Sequence, residues 1–267
     1  MTDAALKTQS QTDMLDPARA AALHATLDRP GKLPKAGDDL PPFWHHIYFW
    51  QAYPPAQLGP DGHPAVGQGL IPDFGLPHRM WAGGRLTFHK PLALGTPATK
   101  TSTQLKVARK EGRSGPLGFV TLSHQITQSG VTCLTEEQDL VYRGPLGTDR
   151  PAPPMARTDE TACQSHSFTS TLLFRYSALT FNGHRIHYDL PHATGPEGYR
   201  GLVVHGPLLA QLLIHMAEAT HGPLRQFSFR AVSPLMDFET AEFCMADRQM
   251  WVRGPAGQCC MTAEFEV

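Results

Sequence analysis

Four segments in the first half of the chain alternate apolar and polar residues with a period of two. They span residues 85–89, 98–108, 117–127 and 133–142. This alternation is typical of strands with one buried face, and the Gly-, Pro- and Ser-rich stretches between them are typical of hairpin turns. We therefore expect an antiparallel sheet of at least four strands here.

The second half combines one clear helix with further strands. Residues 207–220 place Leu and Met on one face, with Pro207 at the first helical position and Gly222-Pro223 after the end. That pattern predicts a helix with a buried face. Strands are predicted at 165–174, 224–232, 239–247 and 259–267, with a short one at 250–252. The fold class expected from both halves is α+β.

The segments before the first sheet are less regular. Residues 1–13 are predicted to be a polar tail, and Asp16-Pro17 is expected to start a helix over 17–28. The aromatic segment 43–53 predicts a short helix that either packs in the core or covers a pocket. Residues 57–77 are too rich in Pro and Gly for regular structure, so we expect a functional flap or a cover over the sheet.

Composition excludes several function classes. The net charge of -1 and the pI near 6.9 argue against a nucleic-acid surface, and the chain has no long apolar run that would cross a membrane. The five cysteines lack Cys-x-x-Cys spacing, and the 14 histidines lack helical pairing, so we expect neither a metal site nor a redox cofactor. The start of the sequence lacks a secretory pattern, and a cytoplasmic location is expected.

The densest chemistry lies in residues 174–213. Asn182 and His187 stand five residues apart in Asn-Gly-His-Arg-Ile-His, and a His205-Gly206-Pro207 step precedes the predicted helix. An irregular loop of this kind can turn two polar side chains toward one small volume, as the activation of a water molecule requires. The sequence therefore places a candidate site here.

This region resembles the signature of the MaoC-like, or R-specific, enoyl-thioester hydratases. The segments SALTFNGHRIHYD and GLVVHGPL are similar to one branch of that family, the type 2 hydroxyacyl-thioester dehydratases and the mesaconyl-C4-CoA hydratases. Further similarity lies in RMWAGGRLTFHK, GRSGPL and EEQDLVYR of the first half. The resemblance implies a double hot-dog fold, in which two sheets each wrap a helix and join edge to edge. It implies a degenerate N-terminal unit at 1–143, a Pro-rich linker at 144–161 and a catalytic unit at 162–267.

The resemblance also implies the roles of the site residues. His187 would be the catalytic histidine, moving a proton between water and the substrate α-carbon. The family usually has Asp where this chain has Asn182, so Asn182 would only orient the water, and Asp189 is a candidate to orient the imidazole. The thioester would be bound and polarised near the predicted helix start, by backbone groups of His205, Gly206, Leu208, Gly201 and Val203.

A substrate carboxylate or the coenzyme phosphates would need a cationic side chain. Five residues are candidates for these contacts: Arg79, Arg85, Lys90, Arg175 and Arg185. The pattern does not choose among them.

The function implied is reversible hydration of an α,β-unsaturated acyl-CoA. A branched C5 dicarboxylic substrate is expected, such as mesaconyl-C4-CoA giving citramalyl-CoA. Alternatives are an itaconyl-CoA hydratase, a 3-hydroxyacyl-ACP dehydratase, a thioesterase, or a hot-dog protein that binds acyl thioesters without turnover. The thioesterase is disfavoured because residues 208–214 contain no acid. A homodimer or a monomeric pseudo-dimer is expected.

Overall fold

A computed structural model describes residues 6–67, 69–112, 115–144 and 152–267. The strands of its main sheet are β1 (Thr8–Met14), β3 (His78–Phe88), β5 (Pro97–Gly112), β6 (Gly115–Gln128), β7 (Val131–Arg143), β8 (Ala162–Ser167), β9 (Gln226–Ala231), β10 (Thr240–Ala246), β11 (Gln249–Arg253) and β12 (Cys259–Glu266). A small second sheet pairs β2 (Asp39–Leu40) with β4 (Leu92–Ala93). The helices are α1 (Pro17–Thr26), α2 (Ser170–Leu179), α3 (Leu190–Thr194) and α4 (Gly206–His221).

The ten strands form one antiparallel sheet in the order β1-β5-β6-β7-β3-β9-β12-β11-β10-β8. The first five come from the N-terminal half and the last five from the C-terminal half. The two halves join where β3 pairs with β9, with Leu86 opposite Phe227. The predicted α+β class and the antiparallel sheet are confirmed.

Two adjacent glycines make this join possible. A Cβ atom on Gly83 would lie 2.5 Å from the backbone oxygen of Phe229, and one on Gly84 would lie 2.8 Å from the Phe229 ring. Both distances are too short for a side chain, so β3 approaches β9 only because these positions carry none. The Ala-Gly-Gly-Arg segment therefore serves the junction between the halves.

Helix α4 lies at the centre of the core and is buried on most of its surface. It contacts β9, β11 and β12. The aromatic segment of the N-terminal half reaches the same helix, because Trp44 Nε1 donates to His215 Nε2 at 3.0 Å. One hydrophobic core thus spans both halves. Within the described ranges, no helix is long and apolar enough to cross a membrane.

Several predicted elements differ from the structure. The prediction of a polar tail at 1–13 is wrong for residues 8–13. They lie in strand β1, which pairs with β5. The strand predicted at 165–174 ends at Ser167, and Thr169 caps helix α2 through a hydrogen bond from Leu172 N. The helix predicted at 43–53 is only a 3-10 turn at Trp44–Ile47.

Each difference has a physical reason. Strand β1 is polar and exposed, so no alternation reveals it, and hydrogen bonds from its Ser and Thr hydroxyls to Thr hydroxyls of β5 hold it. The aromatic segment carries Phe43 and Phe49 in the left-handed backbone region, which a helix does not allow. Within the predicted linker 144–161, residues 145–151 lie outside the described residues, as do 113–114 of the predicted β5–β6 turn. The division into two domains stays a prediction.

Candidate active site

The loop that carries His187 is short and tightly fixed. We call residues 181–189 the histidine loop. It leaves α2 through Phe181, which has a left-handed backbone with φ 51°. The side-chain oxygen of Asn182 then accepts a hydrogen bond from His184 N at 3.1 Å. This side-chain turn leads into a single 3-10 turn at Arg185–His187.

A hydrogen bond to the backbone fixes the His187 ring in one orientation. Its Nδ1 lies 2.7 Å from the carbonyl oxygen of Val203, so Nδ1 carries the proton and Nε2 keeps a lone pair. Val203 N in turn donates to Ile186 O at 2.9 Å. Burial lowers the pKa of His187 to about 4. His187 is therefore a neutral imidazole with one basic nitrogen at pH 7.

The start of α4 lies beside this ring. His205, the residue just before Gly206, stacks on His187 with ring centroids 3.7 Å apart. Its Nε2 lies 2.8 Å from Ser177 Oγ. Within the described chain no side chain caps α4, and Pro207 has no N–H. The N–H groups of Gly206 and Leu208 point out of the first turn, where the helix dipole is positive. The start of α4 is therefore a candidate donor site for a developing oxyanion.

Three predicted roles change in the structure. The prediction that Asp189 orients the imidazole is wrong, because its carboxylate caps α3 and pairs with Arg185, while Val203 orients the ring. The Val203 N–H and carbonyl are both used inside the protein, so Val203 positions His187 instead of meeting the thioester arm. The side-chain oxygen of Asn182 likewise accepts a hydrogen bond within the protein, from His184 N. Its NH2 group is the part that can still meet a water molecule.

Gly201 is buried against the segment that follows β9. A Cβ atom there would lie 2.7 Å from the Phe238 ring and 3.1 Å from the Asp237 carboxylate. Its lack of a side chain is therefore explained by packing. A contact between Gly201 and a substrate stays a prediction.

The five predicted cations fall into different settings. Arg85 pairs with Glu137 and Asp139, and Arg185 pairs with Asp189, so neither is available to a substrate carboxylate. Lys90 and Arg175 are exposed. Arg79 is half-buried, has no ion pair among the described residues, and lies within electrostatic range of His63 and His184. Of the five, Arg79 has the setting that suits a substrate carboxylate.

A group of side chains that the sequence did not single out completes the site. His63 lies between Asp61 and His184, with its Nδ1 3.0 Å from Asp61 Oδ2 and its ring centroid 4.3 Å from that of His184. The His184 ring is 5.3 Å from His187. Both Asp61 and His63 belong to the Pro- and Gly-rich segment 57–77. The prediction of a functional flap or cover there was the one feature of the sequence that pointed to them.

A second buried cluster occupies the N-terminal half. Glu136 lies 3.1 Å from His45 Nε2 and 3.2 Å from His46 Nε2. Interaction with the two histidines holds the pKa of Glu136 well below its usual range despite burial. Lys100 is half-buried and lies within electrostatic range of Glu136. Glu136 lies within electrostatic range of Tyr176, whose ring centroid is 5.0 Å from that of His205.

Three groups of described side chains hold possible metal ligands within 4.8 Å of one another. Each has a feature that disfavours a cation. Lys100 lies within electrostatic range of the Glu136 group, and Arg79 lies within range of the group formed by Asp61, His63 and His184. In the third group Glu160 is already paired with Arg253. The prediction that the protein uses no metal stays a prediction.

His187 is a buried residue. The residue is only 7% exposed. A large surface groove of about 1200 Å³ lies elsewhere, over β3, β9, β11 and β12, and its lining does not include the histidine loop. The lining of this groove also lacks His205, Gly206 and Leu208, so the histidine loop and the start of α4 remain the candidate site.

Comparisons with known proteins show which family and which folds the chain resembles. The family model for hydroxyacyl-thioester dehydratase type 2 matches residues 43–237. A protein of Chloroflexus aurantiacus called mesaconyl-C(4)-CoA hydratase is 44% identical over 98% of this chain and 95% of its own length. A MaoC-like dehydratase of Phytophthora capsici superposes with a TM-score of 0.68 at 13% identity, covering 98% of this chain and 95% of its own.

A Mycobacterium tuberculosis protein described as a double hot-dog fold superposes with a TM-score of 0.56 at 14% identity, covering 97% of this chain and 95% of its own. The expected double hot-dog fold is thereby confirmed. The family model matches most of the described chain, and the fold is the one expected for that family. The chain belongs to the type 2 hydroxyacyl-thioester dehydratase family of MaoC-like proteins and is a hydro-lyase of acyl thioesters.

Proposed function

We propose that the protein reversibly hydrates mesaconyl-C4-CoA, a branched C5 dicarboxylic enoyl thioester, to citramalyl-CoA. The observation that carries this choice is the 44% identity, over almost the whole chain, with a relative named for that reaction. A half-buried Arg79 without an ion pair among the described residues supports a substrate that brings its own carboxylate.

The site residues then take specific roles. The basic Nε2 of His187 removes a proton from water as the oxygen bonds to the β-carbon. The N–H groups of Gly206 and Leu208 receive the negative charge that develops on the thioester oxygen, as in other oxyanion sites. The NH2 group of Asn182 helps to hold the water. The sequence predicts that His187 also returns the proton to the α-carbon.

Arg79 has the right chemistry to bind the free carboxylate. An arginine fork matches a carboxylate with two hydrogen bonds, and burial strengthens such a pair. Arg175 and Lys90, both exposed, are proposed as contacts for the coenzyme phosphates. The proposed cytoplasmic location and the proposed assembly, a homodimer or a monomeric pseudo-dimer, follow from the sequence alone.

The second candidate is dehydration of a 3-hydroxyacyl thioester carried by CoA or ACP. The description of the matching family model favours it. Both candidates use the same loop and differ in the acyl tail and its carrier.

One experiment separates these possibilities. The purified protein is mixed with mesaconyl-C4-CoA, itaconyl-CoA, crotonyl-CoA and crotonyl-ACP, and the loss of enoyl absorbance is followed. We expect the highest kcat/KM with mesaconyl-C4-CoA. Preference for itaconyl-CoA would reassign the acyl group, and preference for crotonyl-ACP would favour the dehydratase. No turnover of any ester, together with binding of a CoA ester, would contradict both proposals.

A further inference from the structure

The segment that carries Asp61 and His63 is held against the histidine loop. We call residues 57–67 the flap. Arg185 N donates to Asp61 O at 2.9 Å, and the Arg185 guanidinium donates to Pro60 O at 3.0 Å. A Cβ atom on Gly62 would lie 2.0 Å from Gly183 O, and one on Gly183 would lie 2.5 Å from Gly62 O. The two backbones therefore meet through paired glycines, so the flap belongs to the site.

Within the flap, Asp61 fixes the orientation of His63. One carboxylate oxygen lies 3.0 Å from His63 Nδ1, and the other accepts from His63 N at 3.1 Å. Asp61 therefore selects the form in which Nδ1 carries a proton and Nε2 is left for other chemistry. The side chains of both residues are less than 20% exposed. An Asp–His pair in this geometry is an acid–base device.

The charges around His63 come from several elements. Burial lowers the pKa of His63, and the positive charge of Arg79 lowers it further, while Asp61 and Glu197 oppose this. His184 and His187 also lie within electrostatic range. Hydrogen bonds from His63 help to hold the pKa of Asp61 low despite burial, so Asp61 is a carboxylate at neutral pH. The net effect lowers the pKa of His63, while the Asp61 carboxylate stabilises its imidazolium form.

The second imidazole of the histidine loop is poorly suited to carry a proton, because burial and the neighbouring His63 and His187 lower the pKa of His184. Asn182 does not titrate, and Asp189 is tied to Arg185 and the α3 cap. Hydration nevertheless needs one proton taken from water and one delivered to the α-carbon. We propose that Asp61 and His63 form the second acid–base pair of this site, with His63 delivering the α-proton while His187 takes the proton from water. The proposal rests on the hydration reaction assigned above.

The step balances as follows. The water oxygen bonds to the β-carbon as its proton moves to His187 Nε2, and the C=C electron pair moves toward the α-carbon and the thioester oxygen. The α-carbon then takes the Nε2 proton of an imidazolium His63, whose charge Asp61 stabilises. The enzyme ends with His187 protonated and His63 neutral. Before the next turnover, His187 releases its proton to solvent and His63 takes one up.

The test compares parent protein with His63→Gln and Asp61→Asn. Matched controls are His89→Gln, at an exposed histidine outside the site, and Asp73→Asn, at an exposed aspartate that follows the flap. Each protein is assayed from pH 5 to 9 with whichever enoyl-CoA the parent hydrates best, so that an error in the proposed acyl group leaves the test intact. Deuterium uptake at the α-carbon of the matching hydroxyacyl-CoA is measured in D2O. Binding of butyryl-CoA reports an intact site.

We expect His63→Gln to lower kcat by at least about 10²-fold, the usual contribution of a general acid, with little change in KM. α-Deuterium uptake should fall by a similar factor. Asp61→Asn should lower kcat less and move the alkaline limit of hydration to lower pH, because the imidazolium loses its carboxylate. Both controls should match the parent.

Other outcomes would overturn the proposal. One such outcome is a His63→Gln variant whose kcat is within twofold of the parent or whose α-deuterium uptake is parental. It would mean that His187 alone transfers both protons. Activity lost on dialysis against EDTA and restored by Zn²⁺ would make the cluster a metal site. If His63→Gln fails to bind butyryl-CoA, the Asp61→Asn profile decides, and an unshifted alkaline limit would contradict the proposal.

Discussion

The imidazole rings of His187 and His205 stack with centroids 3.7 Å apart and planes 18° from parallel. Burial lowers the pKa of His187 to about 4, and burial with the neighbouring His187 holds that of His205 well below its usual range. Two adjacent positive charges in a buried place would be costly, so the two rings together carry at most one positive charge. The histidine loop therefore meets its substrate with a neutral base and a neutral neighbour.

The first prediction concerns the two residues of the loop motif. His187→Ala should lower kcat by about 10³-fold or more, since it removes the base that activates water. Asn182→Ala should leave easily measured turnover, because the amide does not carry a proton. Steady-state kinetics on the preferred enoyl-CoA check both, with His89→Ala as the control. Parental activity of His187→Ala would refute the assignment of the loop.

The second prediction concerns substrate choice. Arg79→Met should raise KM for mesaconyl-C4-CoA by about 10- to 100-fold, the effect of losing a charge-assisted hydrogen-bond pair. It should leave KM for crotonyl-CoA, which has no free carboxylate, nearly unchanged. Arg248→Met, at an exposed arginine beyond β10, is the matched control. An equal rise in KM for both substrates would show that Arg79 does not bind the substrate carboxylate.

The third prediction concerns the contact between flap and histidine loop. Gly62→Ala should lower kcat at least about 10-fold, because its Cβ would collide with Gly183 O and displace the flap. Gly31→Ala is the control, since Gly31 also has a positive φ but has nothing within 4 Å of its Cβ position. Comparing kcat at equal folded fraction, measured by circular dichroism, separates displacement from backbone strain. Equal losses in the two variants would contradict this prediction.

The fourth prediction concerns stability and pH. Burial lowers the pKa of His45, His124 and His187 to about 4 and that of His215 to about 3. The unfolded chain binds protons at these residues below about pH 6.5, whereas the folded protein does not. Stability should therefore be greatest above pH 7 and fall between pH 6.5 and 4, by about 1.4 kcal/mol per pH unit for each proton taken up.

Urea unfolding at pH 8.0 and 5.0 measures this loss. His215→Gln should reduce the difference between the two pH values, because glutamine still accepts the Trp44 hydrogen bond but does not titrate. His89→Gln, at an exposed position, should leave it unchanged. Greater stability at pH 5.0 than at pH 8.0 would contradict the prediction.

Alternation and capping were sufficient to predict much of the sheet and helix α4. They failed where local pattern and tertiary context disagree. Strand β1 has no apolar face, and the aromatic segment 43–53 is shaped by left-handed residues that its periodicity does not reveal. The first part of helix α2 was predicted to be a strand, because the apolar and β-branched residues of 168–174 are compatible with a helix or a strand. Only the capping residue Thr169 marks the start of the helix.

The site was predictable only where one stretch of sequence holds its parts. His187 and the start of α4 lie close in sequence, and their motif identified them. The partners of these residues are set by distant contacts. Val203 replaced Asp189 as the group that orients the ring, and Asp61 and His63 come from more than 100 residues upstream. Folding brings such residues together, so spacing alone does not reveal them.

The pairing of β3 with β9 gives the chain an asymmetry with chemical consequences. Because the two halves share one sheet, the described residues place one histidine loop in the C-terminal half, beside an N-terminal half that need not resemble it. The flap and Arg79 both come from the N-terminal half, whereas the histidine loop comes from the C-terminal half.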